Sequence, residues 1–343
     1  MQVTVMQVFQ SWKVLALVAA FSLAPASFAA AQEVKTIRFA KQFGIGYLPM
    51  VIMENMKLVE KYAAAQGLGD VKAEWSELTG GSPINDALIS GQIDFGAGGV
   101  GPLLTIWAKT QGSLNVKGVG ALNAMPLYLN TIEPNVKTLQ DFTEKHRIAL
   151  PSVKVSIQAV TLQMAAEKAF GEGKHDILDR LTVSMSHPDG MTAMMSGNSE
   201  IAAHFTSAPF MYQELDDPRV RRVLSSYEVL GGPGSFNLMW CKQEFFDKSP
   251  KSYMAVFDAL QEAIKFINER PDQAAEIWAA AEKSKLKLDL IKKIIADPEN
   301  RWTSAPLNLM TYASFMHKVG AIKIKPNDWK DIFFPPLHSM QGS

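Results

Sequence analysis

Two segments of this chain are near copies of each other, and no other feature of the sequence constrains the fold as much. Ala87 to Ala97 (ALISGQIDFGA) aligns with Ala193 to Ala203 (AMMSGNSEIAA) at a constant offset of 106, with Ala, Ser, Gly and Ala identical and Gln/Asn and Asp/Glu exchanged for like residues. The agreement runs outward. Val59-Glu60-Lys61-Tyr62 parallels the segment Ala166 to Phe170, each copy follows a strand-like run (Ile37 to Ala40, Ile148 to Leu150), and a proline follows each, Pro102 and Pro209. Strand, helix and strand at this spacing make a parallel βαβ unit. Two copies therefore predict two α/β units of one design.

The first unit begins with a strand at Thr36 to Ala40, a loop at Phe43-Gly44-Ile45-Gly46, and a helix with Pro49 in its first turn. Leu48, Val51, Ile52, Met56, Val59 and Tyr62 fall at the three-to-four spacing of one buried stripe along that helix. A strand from Val71 to Leu78, a turn at Thr79 to Ser82, a short helix through Leu88, a strand from Ile93 to Phe95 and a glycine turn follow. The expected fold is α/β: two similar lobes, each with a mostly parallel sheet flanked by helices. Ligands of such sheets sit at the carboxyl ends of the strands, so the two sets of strand-end loops line one cleft. The helical remainder, Pro250 to Ala296 and on to Trp329, is apolar on one face and is expected to cover lobe one.

With 47% hydrophobic residues, 343 positions supply a sizeable core. Lys+Arg and Asp+Glu both number 34, a formal charge of zero, which argues against a nucleic-acid binder or a polybasic membrane-surface protein. Cys241 is the sole cysteine, so no intramolecular disulfide and no CxxC metal or redox site is expected; it reads as a small buried hydrophobe. At the N-terminus, Lys13 precedes an apolar run, Val14 to Ala24, followed by Pro25 and small residues. The run is shorter than the roughly 20 residues of a span and reads as a secretory signal peptide, residues 1–31, cleaved after Ala29 or Ala31. A freely soluble exported protein without stable membrane insertion is the expectation, which weakens any role needing cytosolic NAD or ATP.

The chemical motifs are sparse. Gly96 to Gly101 spells GxGxxG, but in a third strand, without the acidic residue expected about 20 positions on, and it reads as a close-approach glycine turn at the cleft edge. There is no GxSxG, no HExxH and no local Cys/His signature, so no catalytic, metal or cofactor site is predicted. His146, His175, His317 and His338 read as solvated surface residues. His187 either faces the cleft or caps a turn. His204, the repeat counterpart of Gly98 at a strand end, should point towards the cleft, as a ligand contact or as a structural histidine on a backbone carbonyl. Asp94 and Glu200 lie at strand starts, away from the cleft, as solvated or turn-capping groups. Anion-type signals are better: Ser82 as an N-cap before Pro83, the accessible N–H groups of Gly80-Gly81, and Pro151 to Ser156, which brings two hydroxyls and Lys154 to a helix N-terminus.

On these residues the chain resembles the substrate-binding proteins of ABC importers in the nitrate, sulfonate and taurine class, a group of type II periplasmic binding proteins. The carriers are IRFAKQFGIGYLPMVIMENMKLVEKY, ALISGQIDFGAGGVGP, RIALPSVKVSIQAVTLQMAAEKAF and LTVSMSHPDGMTAMMSG. The resemblance implies ligand contacts at Phe43, Gly44, Tyr47, Thr79, Gly80, Gly81, Ser82, Gly98, Gly99, Lys154, Ser156 and His204. It also implies two crossings between lobes, at Ala124 to Asn130 and Ser235 to Trp240. Lobe one is then residues 32–125 and 237–343, and lobe two residues 126–236. Val153-Lys154-Val155 stands where similar proteins have small hydroxyl residues, which points away from plain taurine or nitrate, and Phe43, Tyr47 and Phe205 suit an apolar or aromatic body. The implied protein is a periplasmic, monomeric solute receptor that serves a permease and ATPase, takes a small anionic or aromatic solute, and uses no cofactor. The alternatives are an enzyme on the same fold, a binder of a pyrimidine thiamine precursor, and a receptor for a chemosensor.

Overall fold

The structure, a computed structural model, describes residues 33–343; the predicted signal segment, residues 1–31, lies outside the described residues. Ten strands are present among them: β1 (Thr36–Lys41), β2 (Lys72–Glu77), β3 (Phe95–Gly99), β4 (Lys117–Ala121), β5 (Tyr128–Thr131), β6 (Arg147–Leu150), β7 (Thr182–Ser184), β8 (Ile201–Thr206), β9 (Arg221–Ser225) and β10 (Asn237–Cys241). They form two five-stranded sheets, β2-β1-β3-β10-β4 and β7-β6-β8-β5-β9. In the first, β1 runs parallel to β2 and β3, and β10 is antiparallel to β3 and β4. The second repeats the plan, with β6 parallel to β7 and β8 and β5 antiparallel to β8 and β9. Each lobe is thus four parallel strands with one antiparallel strand inserted, and the copied segments occupy equivalent places, β3 and β8.

The equivalence reaches individual side chains. Asp94 accepts from the Arg38 backbone N–H at 2.9 Å and from the guanidinium Nε and Nη2 at 3.0 and 2.8 Å. Its counterpart Glu200 lies 3.6 Å from Arg147 Nε. The acids are therefore not simply solvated or turn-capping as expected; they tie the start of the copied strand to the strand beside it.

The main helices before the C-terminal region are α1 (Leu48–Asn55), α2 (Leu58–Ala65), α3 (Gly81–Ile89), α4 (Val100–Lys109), α5 (Ile157–Phe170), α6 (His187–Ser196) and α7 (Phe210–Leu215). The long first helix expected from the apolar stripe is broken into α1 and α2 at Lys57, whose backbone is left-handed with φ 51°. β3 starts at Phe95, two residues later than expected, so Gly96 to Gly99 lie within the strand and not in a turn. Every residue of β3, β8 and β10 is buried, as strands covered on both faces require. Phe39, Phe95 and Trp240 anchor the first sheet, with Phe39 and Phe95 stacked at 5.3 Å.

The chain passes between the sheets twice, and the two crossings touch. Ala124 and Ser235 form an antiparallel bridge, the Leu122 N–H donates to the Asn237 carbonyl at 2.8 Å, and the Phe236 N–H donates to Asn123 at 3.1 Å. A third segment braces the pair: Ala124 and Arg301 exchange two backbone bonds of 2.8 Å, and Leu307 N–H donates to Ser235 Oγ at 2.9 Å. No helix among the described residues is long and apolar enough to cross a membrane.

Candidate functional site

Four helix N-termini meet at one enclosed cavity between the sheets. Gly81 opens α3, Gly99 caps α4, Ser156 caps α5 and His187 opens α6, and all four residues line the same space. The first N–H groups of a helix have no intrahelical acceptor, and the helix dipole makes that end positive. Ser156 Oγ accepts from Ala159 N at 3.2 Å, which fixes the first turn of α5. The space open to the centre of a water-sized sphere is about 10 Å³, enough for about one water. The lobes are closed.

Glycines make that closure possible. A Cβ on Gly80 would stand 2.5 Å from the Pro151 carbonyl oxygen, one on Gly99 2.6 Å from Ile157 Cγ2, and one on Gly101 would run into the Val155 carbonyl. In each case the neighbour belongs to the other sheet's side of the cleft. The GxGxxG string serves the close approach expected of it, from a strand and the start of α4 instead of a turn.

Polar side chains face the cavity without partners. Gln42 is 7% exposed and Tyr47 3%, yet among the described residues neither side chain makes a hydrogen bond, and burial drives the Tyr47 phenol well above its ordinary range. Buried polar groups of this kind mark places where a ligand or water completes the bonding. Gln158 and His187 add a carboxamide and an imidazole, and Phe236 an aromatic wall. No lining side chain carries a formal charge. The positive potential at this wall comes from helix ends and neutral donors.

Behind His187 runs a buried polar chain. His187 Nδ1 lies 3.1 Å from His204 Nε2, His204 Nδ1 lies 2.6 Å from Glu214 Oε1, and Asn130 Nδ2 donates to Glu214 Oε2 at 2.9 Å. Desolvation disfavours the charged form of each titratable group: Glu214 is pushed up to about 8 and His204 down to about 3, and His187 falls well below its usual value.

Of the residues singled out in the sequence, Tyr47, Gly81, Gly99 and Ser156 line the cavity. Gly80 caps α3 just beside it, and Gly98 makes room for Gln42. Ser82 is not the N-cap: α3 starts at Gly81, and the Ser82 N–H instead reaches across the cleft to Ser152 Oγ at 3.4 Å. Thr79 is exposed. Phe43 and Gly44 line a neighbouring surface hollow of about 250 Å³ with Phe210 and Trp278. Lys154 is exposed, on left-handed backbone with φ 63°, outside the cavity lining. His204 is 0% exposed and stands behind His187; its partner is a carboxyl, not a backbone carbonyl. Gln42 and Gln158 carried no motif, although Gln158 sits at the second position of a helix whose N-terminus was recognised. Glu214 and Asn130 gave no local signal, because only the fold brings them to His204.

Fold and cleft together define a two-lobed protein of the periplasmic binding protein type. The NMT1-like family model matches residues 30–281, and the chain belongs to that family. Solved structures agree on the fold. The periplasmic aliphatic sulphonate-binding protein SsuA of Escherichia coli is 19% identical with a TM-score of 0.64, over 90% of this chain and 100% of that one. The alkanesulfonate-binding SsuA of Xanthomonas axonopodis, bound to MOPS, is 18% identical with a TM-score of 0.66, over 90% and 99%. The periplasmic nitrate-binding NrtA of Synechocystis is 15% identical with a TM-score of 0.67, over 87% and 84%. No curated protein matches the chain in sequence.

Proposed function

We propose that the chain is the periplasmic solute-binding component of an ABC importer, exported by its N-terminal signal. Residues 32–125 with 237–343 and residues 126–236 act as the two lobes that close on one solute. The observation that carries this reading is the convergence of four helix N-termini, with unpartnered Gln42 and Tyr47, on one closed cavity. As the lobes part, such a site receives a small organic solute with a carboxylate- or sulfonate-type group, whose charge the helix ends stabilise. The sulfonate- and nitrate-binding neighbours support the same class. Hinge bending at the Ala124–Ser235 crossing opens and closes the cleft, and the closed monomer is what a permease with its ATPase receives. The protein is a receptor and performs no reaction.

A planar heteroaromatic solute, such as a pyrimidine, is the second reading, favoured by the rings of Tyr47 and Phe236 and the carboxamides of Gln42 and Gln158 in the same wall. A thermal-shift panel of MOPS, taurine, nitrate, short carboxylates and pyrimidines separates the two. A solute at about 100 times its Kd adds about 2.7 kcal/mol of stability. Turnover of a panel member, with no stabilisation by any, overturns the receptor reading.

A further inference from the structure

We infer that Glu214, acting through His204, fixes the His187 ring as the tautomer that carries its proton on Nε2, so that His187 donates a hydrogen bond into the cleft and selects a solute with an acceptor oxygen there. The inference deepens the receptor reading and rests on the cavity being the solute site. Glu214 and His204 are positioning residues; only His187 meets the cavity.

Proton counting along the chain gives the direction. Each of the two links, Glu214 Oε1 to His204 Nδ1 and His204 Nε2 to His187 Nδ1, holds one proton. In one arrangement the first proton lies on Glu214 or passes to His204 Nδ1. In either case His204 Nε2–H donates to a bare His187 Nδ1, and the remaining His187 proton sits on Nε2. The network is then neutral overall. In the reverse arrangement a carboxylate accepts from His204 Nδ1–H, His204 Nε2 accepts from His187 Nδ1–H, and His187 Nε2 is bare. That arrangement buries one net negative charge.

The surroundings decide between them. Glu214 and His204 are 0% exposed and His187 5%, and none has a Lys or Arg among its hydrogen-bond partners. An uncompensated buried carboxylate is expensive, so the neutral order holds. Asn130 Nδ2 donates to the far oxygen, Oε2, and leaves Oε1 to carry the proton. Thr206 Oγ1, 3.3 Å from His187 Nδ1, fits either order, as donor to a bare nitrogen or acceptor from a protonated one. Gly190 supports the geometry from α6: a Cβ there would stand 2.8 Å from His204 Nε2, so a side chain at this position would break the link. On the other side of the His187 ring, Nε2 lies 3.4 Å from the Gln158 amide nitrogen in the cavity wall, so a protonated Nε2 requires that carboxamide to turn and present its oxygen.

The test is nuclear magnetic resonance on the full mature protein labelled with ¹⁵N-histidine, without solute, since protonated and bare ring nitrogens differ widely in shift. His187 is assigned by the signals lost in His187→Gln. The expected result at neutral pH is a protonated Nε2 and a bare Nδ1. Glu214→Gln should keep this pattern, because its carboxamide N–H replaces the acid proton while its oxygen still accepts from Asn130. Glu214→Leu and His204→Phe should both mix the tautomers, so one of them suffices if the other does not fold. A protonated Nδ1 in the wild type, or an unmixed ring in the folded Leu or Phe variant, overturns the inference. MOPS, benzoate and nitrate are then added: a probe that raises the thermal midpoint should also move the His187 Nε2 proton signal. Its affinity should fall about tenfold in Glu214→Leu and stay within about twofold in Glu214→Gln. A probe that stabilises the protein and leaves that signal in place overturns the inference. If no probe stabilises it and one is turned over, the receptor reading falls, and the tautomer is still reported by the free protein.

Discussion

Gly101 and Val155 meet backbone to backbone across the cleft, with no room for even one carbon between the Gly101 Cα and the Val155 carbonyl oxygen. Neither partner is a flexible side chain that can move aside. Gly101→Ala should therefore hold the lobes apart while leaving each intact. The expected outcome is an unchanged far-ultraviolet circular dichroism spectrum with a larger radius of gyration by small-angle X-ray scattering. A scattering curve identical to the wild type would show that closure does not depend on this contact.

The paired ion links at the two copied strands differ in strength for a physical reason. Asp94 is 15% exposed and takes three bonds from Arg38, one of them from the backbone, whereas Glu200 is 72% exposed and 3.6 Å from Arg147. Arg38 is 39% exposed, so solvent screens part of the first pair. Asp94→Asn should cost about 1–2 kcal/mol in urea denaturation, and Glu200→Gln less than about 0.5 kcal/mol. Equal costs would contradict this account.

The His187–His204–Glu214 chain gives stability a maximum in pH. Below about 6.5 the unfolded chain protonates two histidines that the folded chain keeps neutral, so stability rises with pH up to that point. Glu214 works the other way: its favourable contribution is complete below its ordinary 4.5 and is lost as pH climbs towards about 8, because only the folded chain still holds that proton. Between 4.5 and 6.5 the two histidines outweigh the one acid. Thermal midpoints measured from pH 5 to 8.5 should peak near 6.5, and Glu214→Gln should flatten the descent above it. A wild-type descent that matches the Gln variant would remove Glu214 as its source.

Ser156 joins the site to the stability of α5. Its side chain caps the helix through Ala159 N, and the residue lines the cavity. Ser156→Ala should destabilise the protein by about 1 kcal/mol and Ser156→Gly by only a few tenths. Chemical denaturation of both variants checks the cap; a reversed order would place the Ser156 contribution elsewhere.

Most of the architecture was legible because the copied segment carried its context with it. SGQIDFGA and SGNSEIAA each end a helix and begin a central strand, so two lobes followed from the repeat, whereas the two extended crossings, AMPLYLN and SFNLMW, followed from the family resemblance. Boundaries failed where one backbone conformation overrode a pattern. Lys57 adopts φ 51° in the middle of an unbroken apolar stripe, and nothing in its side chain announces that. At the site, the glycines were readable because close approach selects that residue type locally, while the cap read at Ser82 falls one position past the start of α3. Glu214 was not, since it meets His204 through a helix that folds back over the sheet. Lys154 stood out as a lone cation beside a helix start, but its position in the turn directs it to solvent.

The inserted strand β10 also sets an order in time. The second sheet holds all its strands once residue 225 has emerged, for it is built from residues 128–225 without interruption. The first sheet must wait: β10 is the one strand that β4 pairs with in the sheet, and until residues 237–241 arrive, β3 and β4 have nothing between them. Along the chain, the half of the protein that begins first is thus the half completed last, and β3 and β4 stay without the strand between them until residues 237–241 are made.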